Sequence, residues 1–282
     1  MTVIPRRISL LVEYDGSLFH GWQRQDGLET VQGWLELAVG KMLSNGRVDP
    51  APVIVQGASR TDKGVNSRGQ VAHFDDTKGI SNRNWILGLT SETPSGISVL
   101  DAQYAPESFH SRFDSAGKTY RYRILSRPVR PAIPLQAHYV KHPLSIDLMK
   151  AAAERLIGEH DFIGFATMSS DLETMESTRR ELYSVRITAD SLPGGWLYDS
   201  PGAANSPALV TIEVCGDAFL YNMVRNIAGA LVEIGRGKYP VEWIMHCLEA
   251  NKRPLELPTL PANGLTLEWV HYRKHPHEGM RP

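Results

Sequence analysis

One short stretch, residues 57–75, contains side chains suited to chemistry and reads GASRTDKGVNSRGQVAHFD. Its Asp62 lies two residues after Arg60 and directly before Lys63. A nearby cation stabilises an ionised carboxylate and lowers an Asp pKa by about 1–3 units. The pattern therefore favours a nucleophile or an electrostatic anchor over a general acid. The alternative is a surface Asp that caps its own turn and pairs with an arginine.

Ser59 offers a second possible nucleophile. Residues 57–61, Gly-Ala-Ser-Arg-Thr, nearly match the G-x-S-x-G elbow of serine hydrolases. Thr61 stands where that motif has its last glycine, and the following residues predict a turn and a strand where the elbow requires a helix. A hydrolase built on Ser59 is thus a disfavoured alternative.

A basic and aromatic run covers residues 109–130, FHSRFDSAGKTYRYRILSRPVR. In a strand, Tyr120 and Tyr122 share one face while the arginines that follow them share the other. Aromatic rings beside guanidiniums are typical of surfaces that stack bases and bind phosphates, although buried tyrosines with solvated arginines would give the same pattern. The cations that we assign to substrate binding are Arg112, Lys118 and Arg121.

A third segment, residues 217–238, has the apolar spacing of a well-buried helix. Arg225 lies within that apolar surface, and no acidic residue stands three or four positions away from it. A buried arginine is costly unless a carboxylate meets it, so we expect a partner from elsewhere in the fold and consider Asp62 a candidate. The alternative is that Arg225 extends its guanidinium to the surface.

Composition bounds the class of protein. The chain has 282 residues, of which 42% are hydrophobic, and this predicts two domains. Two isolated cysteines argue against disulfides and thiolate zinc sites, and we expect a cytoplasmic protein without membrane spans. The formal net charge of −1 gives no sign of a nucleic-acid partner, so any polyanion site must come from local clustering. The three histidines of H-x-x-x-H-x-H at 271–277 predict a mobile tail.

Periodicity predicts the elements that must position these residues. Alternation over 7–14 indicates a strand, and Thr30 is a plausible N-cap for an amphipathic helix. Further strands are predicted at 53–58, 69–74, 97–104, 118–125, 208–214 and 264–272, with alternation through Tyr183, Val185 and Ile187. Further helices are predicted near 82–90, 147–157, 219–234 and 240–250, and a surface segment at 190–207.

Strand, helix and paired strands occur twice with hairpin-like spacing. The fold class is therefore predicted as α+β, with mainly antiparallel sheets. We place an N-terminal half with the Asp loop at residues 1–110 and a C-terminal half with the tyrosine strand and the Met-Val-Arg helix at residues 111–282.

Taken together, the motifs resemble tRNA pseudouridine synthases of the TruA family. The resemblance covers residues 7–273. In chain order the motifs are YDGSLFHGWQRQ, TVQGWLELA, SRTDKGVNSRGQVAHFD, FHSRFDSAGKTYRYRI, GEHDF, STRREL, FLYNMVRNIAGALVEIGRG and GLTLEWVHY.

This resemblance implies an enzyme that isomerises uridine to pseudouridine in the anticodon stem-loop of tRNA, at positions 38–40. It implies a homodimer without metal or cofactor, whose two similar halves join their sheets across a central cleft and carry helices on the outer faces. The family's catalytic Asp falls on Asp62, its base-displacing Arg on Arg60 and its base-stacking Tyr on Tyr120. The Arg that pairs with the catalytic carboxylate falls on Arg225, and Leu265 joins the substrate-binding residues.

Two questions stay open at this point. The carboxylate can attack the sugar C1′ or take part in an elimination that leaves a glycal. A catalytically silent tRNA-binding module with the same fold is the second hypothesis. The chain also departs from the common family pattern at Ser59 and Lys63, which affects the choice of target site more than catalysis.

Overall fold

The computed structural model describes residues 6–44, 52–133, 135–169, 172, 174–191 and 208–277. The chain forms two compact units: unit 1 comprises the described residues of Met1–Lys118 and Thr266–Pro282, and unit 2 those of Thr119–Leu265. The units divide after Lys118, whereas we placed the division after residue 110, and unit 1 resumes at Thr266. Most of the predicted surface segment 190–207 lies outside the described residues.

The described residues form a mixed α/β fold, in which helices and strands alternate along the chain. In chain order the elements are β1 (Arg6–Tyr14), α1 (Val31–Leu43), β2 (Gln56–Gly57), β3 (Asn66–Asp76), α2 (Asn82–Glu92), β4 (Ile97–Tyr104), β5 (Ser115–Ser126), β6 (His138–Val140), α3 (Ile146–Glu154), β7 (Gly158–Asp161), β8 (Arg179–Ser191), β9 (Ala208–Gly216), α4 (Met223–Gly235), α5 (Trp243–Glu249) and β10 (Leu265–Tyr272). Across these ranges, no helix has both the length and the apolar character that crossing a bilayer would require.

The sheet of unit 1 runs in the order β4-β1-β3-β10. Strand β1 pairs antiparallel with β3 on one side and with β4 on the other, as the hairpin-like spacing predicted. Strand β10 pairs in parallel with β3, where Thr266 lies opposite Asn66 and Leu267 opposite Ser67. Strand β10 therefore lies in the same sheet as β1, with β3 between them.

Two helices cover one face of this sheet. Alternate residues of β1, including Leu10, pack with Leu35 of α1 and Trp85 of α2 in one fully buried cluster. Helix α1 begins where predicted, because the Thr30 hydroxyl accepts the Gly33 N–H at 3.3 Å. Each fully buried large aliphatic side chain of this kind contributes about 1.5–3 kcal/mol to stability.

Within unit 2, the strands of the sheet run in the order β5-β9-β8-β7. Strands β8 and β9 pair antiparallel, with a register shift between Leu182 and Ser184. The extra residue of this bulge, Tyr183, is 47% exposed, while Val185 and Ile187 are buried. The predicted alternation is therefore wrong at Tyr183, because a bulge reverses the faces of the residues on either side of it.

The histidines after β10 do not form the predicted mobile tail. His277 is 1% exposed, its Nδ1 lies 2.8 Å from the Asp101 carboxylate and its Nε2 lies 3.0 Å from the Ser9 hydroxyl. His275 is also buried, and its ring stacks on Trp269. The segment is thus fixed to the unit 1 sheet as far as residue 277. Among the described residues, no group of His, Cys, Asp or Glu side chains is arranged to hold a metal ion.

A third buried histidine, His73, is expected to make stability depend on pH. Burial, together with the positive charges of Arg7 and His110, lowers the pKa of His73 to about 4. Its Nδ1 accepts the Ser111 N–H at 3.2 Å, a bond that requires the lone pair of that nitrogen. Because the unfolded chain protonates this ring near pH 6.5 and the folded chain near 4, the free energy of unfolding should fall as the pH drops through that range.

Replacing His73 by glutamine keeps a hydrogen-bond acceptor but removes the titrating group. We expect His73→Gln to flatten the pH dependence measured by urea denaturation across that range. A residual slope should remain, because burial also lowers the pKa of His277. An unchanged slope would show that His73 does not control acid stability.

Candidate functional site

Asp62 lies in a tight turn between β2 and β3. The Val65 N–H donates to the Asp62 carbonyl at 3.1 Å and closes the turn. Asp62 itself is half-buried, whereas Arg60 and Lys63 are exposed. Gly64 has a φ of +83°, which a residue with a side chain adopts only at a cost. Gly64 thus allows the chain to reverse direction after Asp62 and Lys63.

The segment between β1 and α1 holds this turn from one side. The Trp22 N–H donates to the Thr61 carbonyl at 3.0 Å, and the Gly64 N–H donates to the Gly16 carbonyl at 3.1 Å. The Thr61 hydroxyl also lies 2.7 Å from the Tyr14 hydroxyl, and both side chains are buried. Backbone bonds on both sides of Asp62 therefore fix its position in unit 1.

Side-chain amides from β3 hold the turn from the other side. Gln70, which is fully buried, accepts the Ser59 N–H at 3.1 Å and donates to the Ser59 carbonyl at 2.6 Å. Asn66 accepts the Gly16 N–H at 2.9 Å and so links the two loops. Neither amide was predicted as a site residue, although two amides four positions apart on one face of a strand are a recognisable signal. Because a turn and a strand follow Ser59, the helix that a nucleophile elbow requires does not follow it.

Lys63 contacts His20, which lies in the segment between β1 and α1. Its ammonium lies 3.1 Å from Nε2 of His20. An ammonium can only donate, so this contact places the lone pair of His20 on Nε2 and the ring proton on Nδ1. The Lys63 side chain is thus directed to the loop before α1.

In unit 2, Tyr120 and Tyr122 lie on one face of β5 and are 7% and 0% exposed. The Tyr120 ring packs edge-on against Phe219, with 5.1 Å between the ring centroids. Tyr122 donates to the Pro261 carbonyl at 2.7 Å, and burial raises its pKa although the Arg225 guanidinium opposes this. Tyr122 is therefore a core residue, and Tyr120 is held at the margin of that core.

Arg225 is half-buried at the start of α4. Its Nε donates to the Leu260 carbonyl at 2.6 Å, and its Nη1 donates to the Asn222 side-chain oxygen at 2.6 Å. Asn222 has a φ of +61°, a conformation that Asn tolerates better than most residues. Asn222, the N-cap of α4, therefore helps to orient the Arg225 guanidinium in the first turn of that helix.

The other predicted site residues are distributed over both units. Arg112 is exposed, with its guanidinium 5.9 Å from the centre of the Phe113 ring. Lys118 is half-buried, Leu265 is buried, and Arg121 pairs with Glu213 at 3.3 Å. Unit 1 thus contains Asp62, Arg60, Arg112 and Lys118, and unit 2 contains Tyr120, Arg121, Arg225 and Leu265.

Comparison with known proteins adds to this geometry. A family model described as tRNA pseudouridine synthase matches residues 10–114 and 152–273, which include Asp62 and Arg225 but not Tyr120. The tRNA pseudouridine synthase A of Coxiella burnetii (strain Dugway 5J108-111) is 39% identical over 271 residues, covering 94% of this chain and 93% of the relative. The proteins of the same name from Legionella pneumophila (strain Lens) and Shewanella piezotolerans (strain WP3 / JCM 13877) are 37% and 35% identical. Each covers 95% of this chain, which covers 93% and 94% of them, respectively.

A Gly21→Ala substitution tests whether the turn around Asp62 depends on the close approach of the loop that contains Gly21. Gly21 has a φ of +93°, and a Cβ at this position would lie 2.7 Å from the Thr61 carbonyl oxygen. Gly27 has a similar φ of +73°, but nothing lies within 4 Å of the corresponding Cβ. Gly27→Ala should cost about 1–2 kcal/mol of stability from backbone strain alone.

Gly21→Ala should cost more than this matched control, because the turn around Asp62 must also move. Chemical denaturation measures the two free energies of unfolding, and hydrogen exchange of the Trp22 amide reports on its bond to Thr61. Equal losses in the two variants would mean that the turn tolerates displacement of the neighbouring loop.

Proposed function

Because the chain belongs to the tRNA pseudouridine synthase family, we propose that Asp62 is the carboxylate with which it isomerises uridine to pseudouridine in tRNA. The observation that carries this assignment is the turn itself. It holds a half-buried Asp62 between backbone bonds at Thr61 and Gly64. Catalysis benefits when a reacting group is held in place before the substrate binds.

We further propose that the target uridines lie in the anticodon stem-loop, at positions 38–40. A homodimer in the cytoplasm, with two similar halves that meet across a central cleft, would bind the tRNA. The support for these finer statements is the set of family motifs and the similarity to curated relatives over about the whole chain.

The reaction breaks the bond between uracil N1 and the ribose C1′ and forms a bond from C5 to the same carbon. The C5 proton leaves and N1 gains a proton, so the atoms balance and no cofactor is consumed. The uracil must leave its stack and be held while it is detached. The ionised Asp62 either attacks C1′ or supports elimination to a glycal, and both routes require its negative charge.

Three other residues act around this step in our proposal. Tyr120 stacks on the extruded uracil, a contact worth about 1–3 kcal/mol per base. Arg225 pairs with Asp62 and keeps it ionised at neutral pH. Arg60, which is exposed beside Asp62, fills the place that the flipped nucleotide vacates.

In this proposal, several separate cationic side chains bind the tRNA backbone. We assign Arg112, Lys118 and Arg121 to phosphate contacts and Leu265 to an apolar contact near the target base. Each phosphate contact releases counterions, so tRNA affinity should fall steeply with salt although the chain has a formal net charge of −1.

Asp62→Asn removes the charge with almost no change in size. We expect pseudouridine formation to fall by at least about a thousandfold while tRNA affinity stays close to that of the parent. Pseudouridine mapping and filter binding with an unmodified transcript measure the two quantities. Ser59→Ala is the matched control and should keep its activity.

Other outcomes select other functions. Activity that survives in Asp62→Asn but is lost in Ser59→Ala would contradict the role of the carboxylate. A parent protein that binds tRNA but forms no pseudouridine in any transcript would be a binding module.

Arg225→Leu should lose activity and stability together. The Asn222 and Leu260 oxygens would lose their donor, at a cost of about 1–3 kcal/mol, and Asp62 would lose its cation. Arg225→Lys keeps the charge but not the planar fork, so we expect it to retain more activity than Arg225→Leu. Should Arg225→Leu match the parent rate at neutral pH, the pairing with Asp62 is refuted.

A further inference from the structure

A polar groove of about 430 Å³ lies on one face of the unit 2 sheet. Its lining includes Arg121 and Arg123 of β5 and Arg186 of β8, with Glu213 of the intervening strand β9 between them. The opposite face of the same strands carries buried residues such as Tyr122. The groove therefore belongs to the face of the sheet that does not contribute to the core of unit 2.

The position of Glu213 indicates what this groove can bind. Its Oε2 lies 3.3 Å from the Arg121 guanidinium, and its Oε1 lies 3.9 Å from the Arg186 guanidinium. Each oxygen of one anion thus faces a different arginine. The two non-bridging oxygens of a phosphodiester present the same arrangement, and guanidiniums bind phosphate and carboxylate with the same donor geometry.

Charged and hydroxyl side chains line the groove. The charged ones are the guanidiniums of Arg121, Arg123 and Arg186 and the carboxylates of Glu213 and Asp190. Thr188 and Thr211, which lie opposite each other in the β8–β9 pair, add two hydroxyl donors. The Arg186 side chain is 74% exposed and can reorient toward a ligand without unpacking the core.

We propose that this groove binds a phosphodiester of the tRNA backbone, and that Glu213 occupies the phosphate position until tRNA displaces it. The proposal rests on the proposed function for its ligand, since it takes tRNA as the substrate. It adds Arg186, Arg123 and the displaceable Glu213 to the residues that bind tRNA.

The alternative is that these residues only stabilise the sheet. An ion pair across neighbouring strands would then support folding, and removing either partner would lower the thermal midpoint without changing tRNA affinity. The two roles differ in sign for Glu213. Removing a carboxylate that only supports the sheet should change tRNA affinity no more than the Glu242→Gln control does, whereas removing a competitor of phosphate should tighten binding beyond that control.

The experiment measures the dissociation constant of an unmodified tRNA transcript with the full chain over a series of salt concentrations. Arg186→Gln should weaken binding about threefold and reduce the slope of log K against log salt by about 1. Glu213→Gln should tighten binding about threefold and steepen that slope. The matched controls are Arg155→Gln and Glu242→Gln, which break a comparable pair of 3.0 Å elsewhere in unit 2 and should leave affinity as in the parent.

Several results would overturn the groove's role. Affinity that is unchanged in Arg186→Gln, or unchanged or weaker in Glu213→Gln, would leave only the structural alternative. A shift in oligomeric state with unchanged tRNA affinity would assign this face to a second copy of the chain. Pseudouridine formation by the parent tests the proposed function separately. If the parent is active and Arg186→Gln binds tRNA as tightly as the parent, only the proposed role of the groove is refuted.

Discussion

The site in unit 1 depends on backbone hydrogen bonds between two loops that are distant in sequence. Trp22 and Gly16 bond to the residues on either side of Asp62, and the close approach leaves no room for a side chain at Gly21. Backbone bonds of this kind do not depend on rotamers, so they fix the backbone of Asp62 directly. Gly21 thus allows the two loops to come into contact, and Gly64 allows the turn itself.

Unit 2 positions its residues by a different means. The oxygens of Asn222 and Leu260 accept hydrogen bonds from two nitrogens of the Arg225 guanidinium and so help to set its orientation. The Tyr120 ring packs edge-on against Phe219, which restricts its orientation. In both units the supporting residues are polar or aromatic neighbours whose own conformations are constrained, which is what a preorganised site requires.

Local patterns predicted much of the fold, and the misses have physical causes. The strand β1 and the cap at Thr30 follow from local signals and were confirmed, although Ser9 and Leu11 are buried on the face of β1 that the alternation left exposed. The exposure of Tyr183 depends on a bulge defined by its partner strand, and the burial of His277 depends on Asp101 in another strand. Family motifs identified Asp62, but the residues that hold it, such as Gln70, are set by tertiary contacts that periodicity does not report.

The parallel pairing of β10 with β3 has a consequence for how the protein is made. A chain emerges from the ribosome N-terminus first. Its earlier segments can therefore fold before its later segments have been synthesised. Here Asn66, which joins the two loops beside Asp62, faces Thr266 across the sheet. Unit 1 therefore keeps part of the β3 edge unpaired until residues 265–272 have been synthesised, and during that interval the exposed edge can pair with the wrong strand.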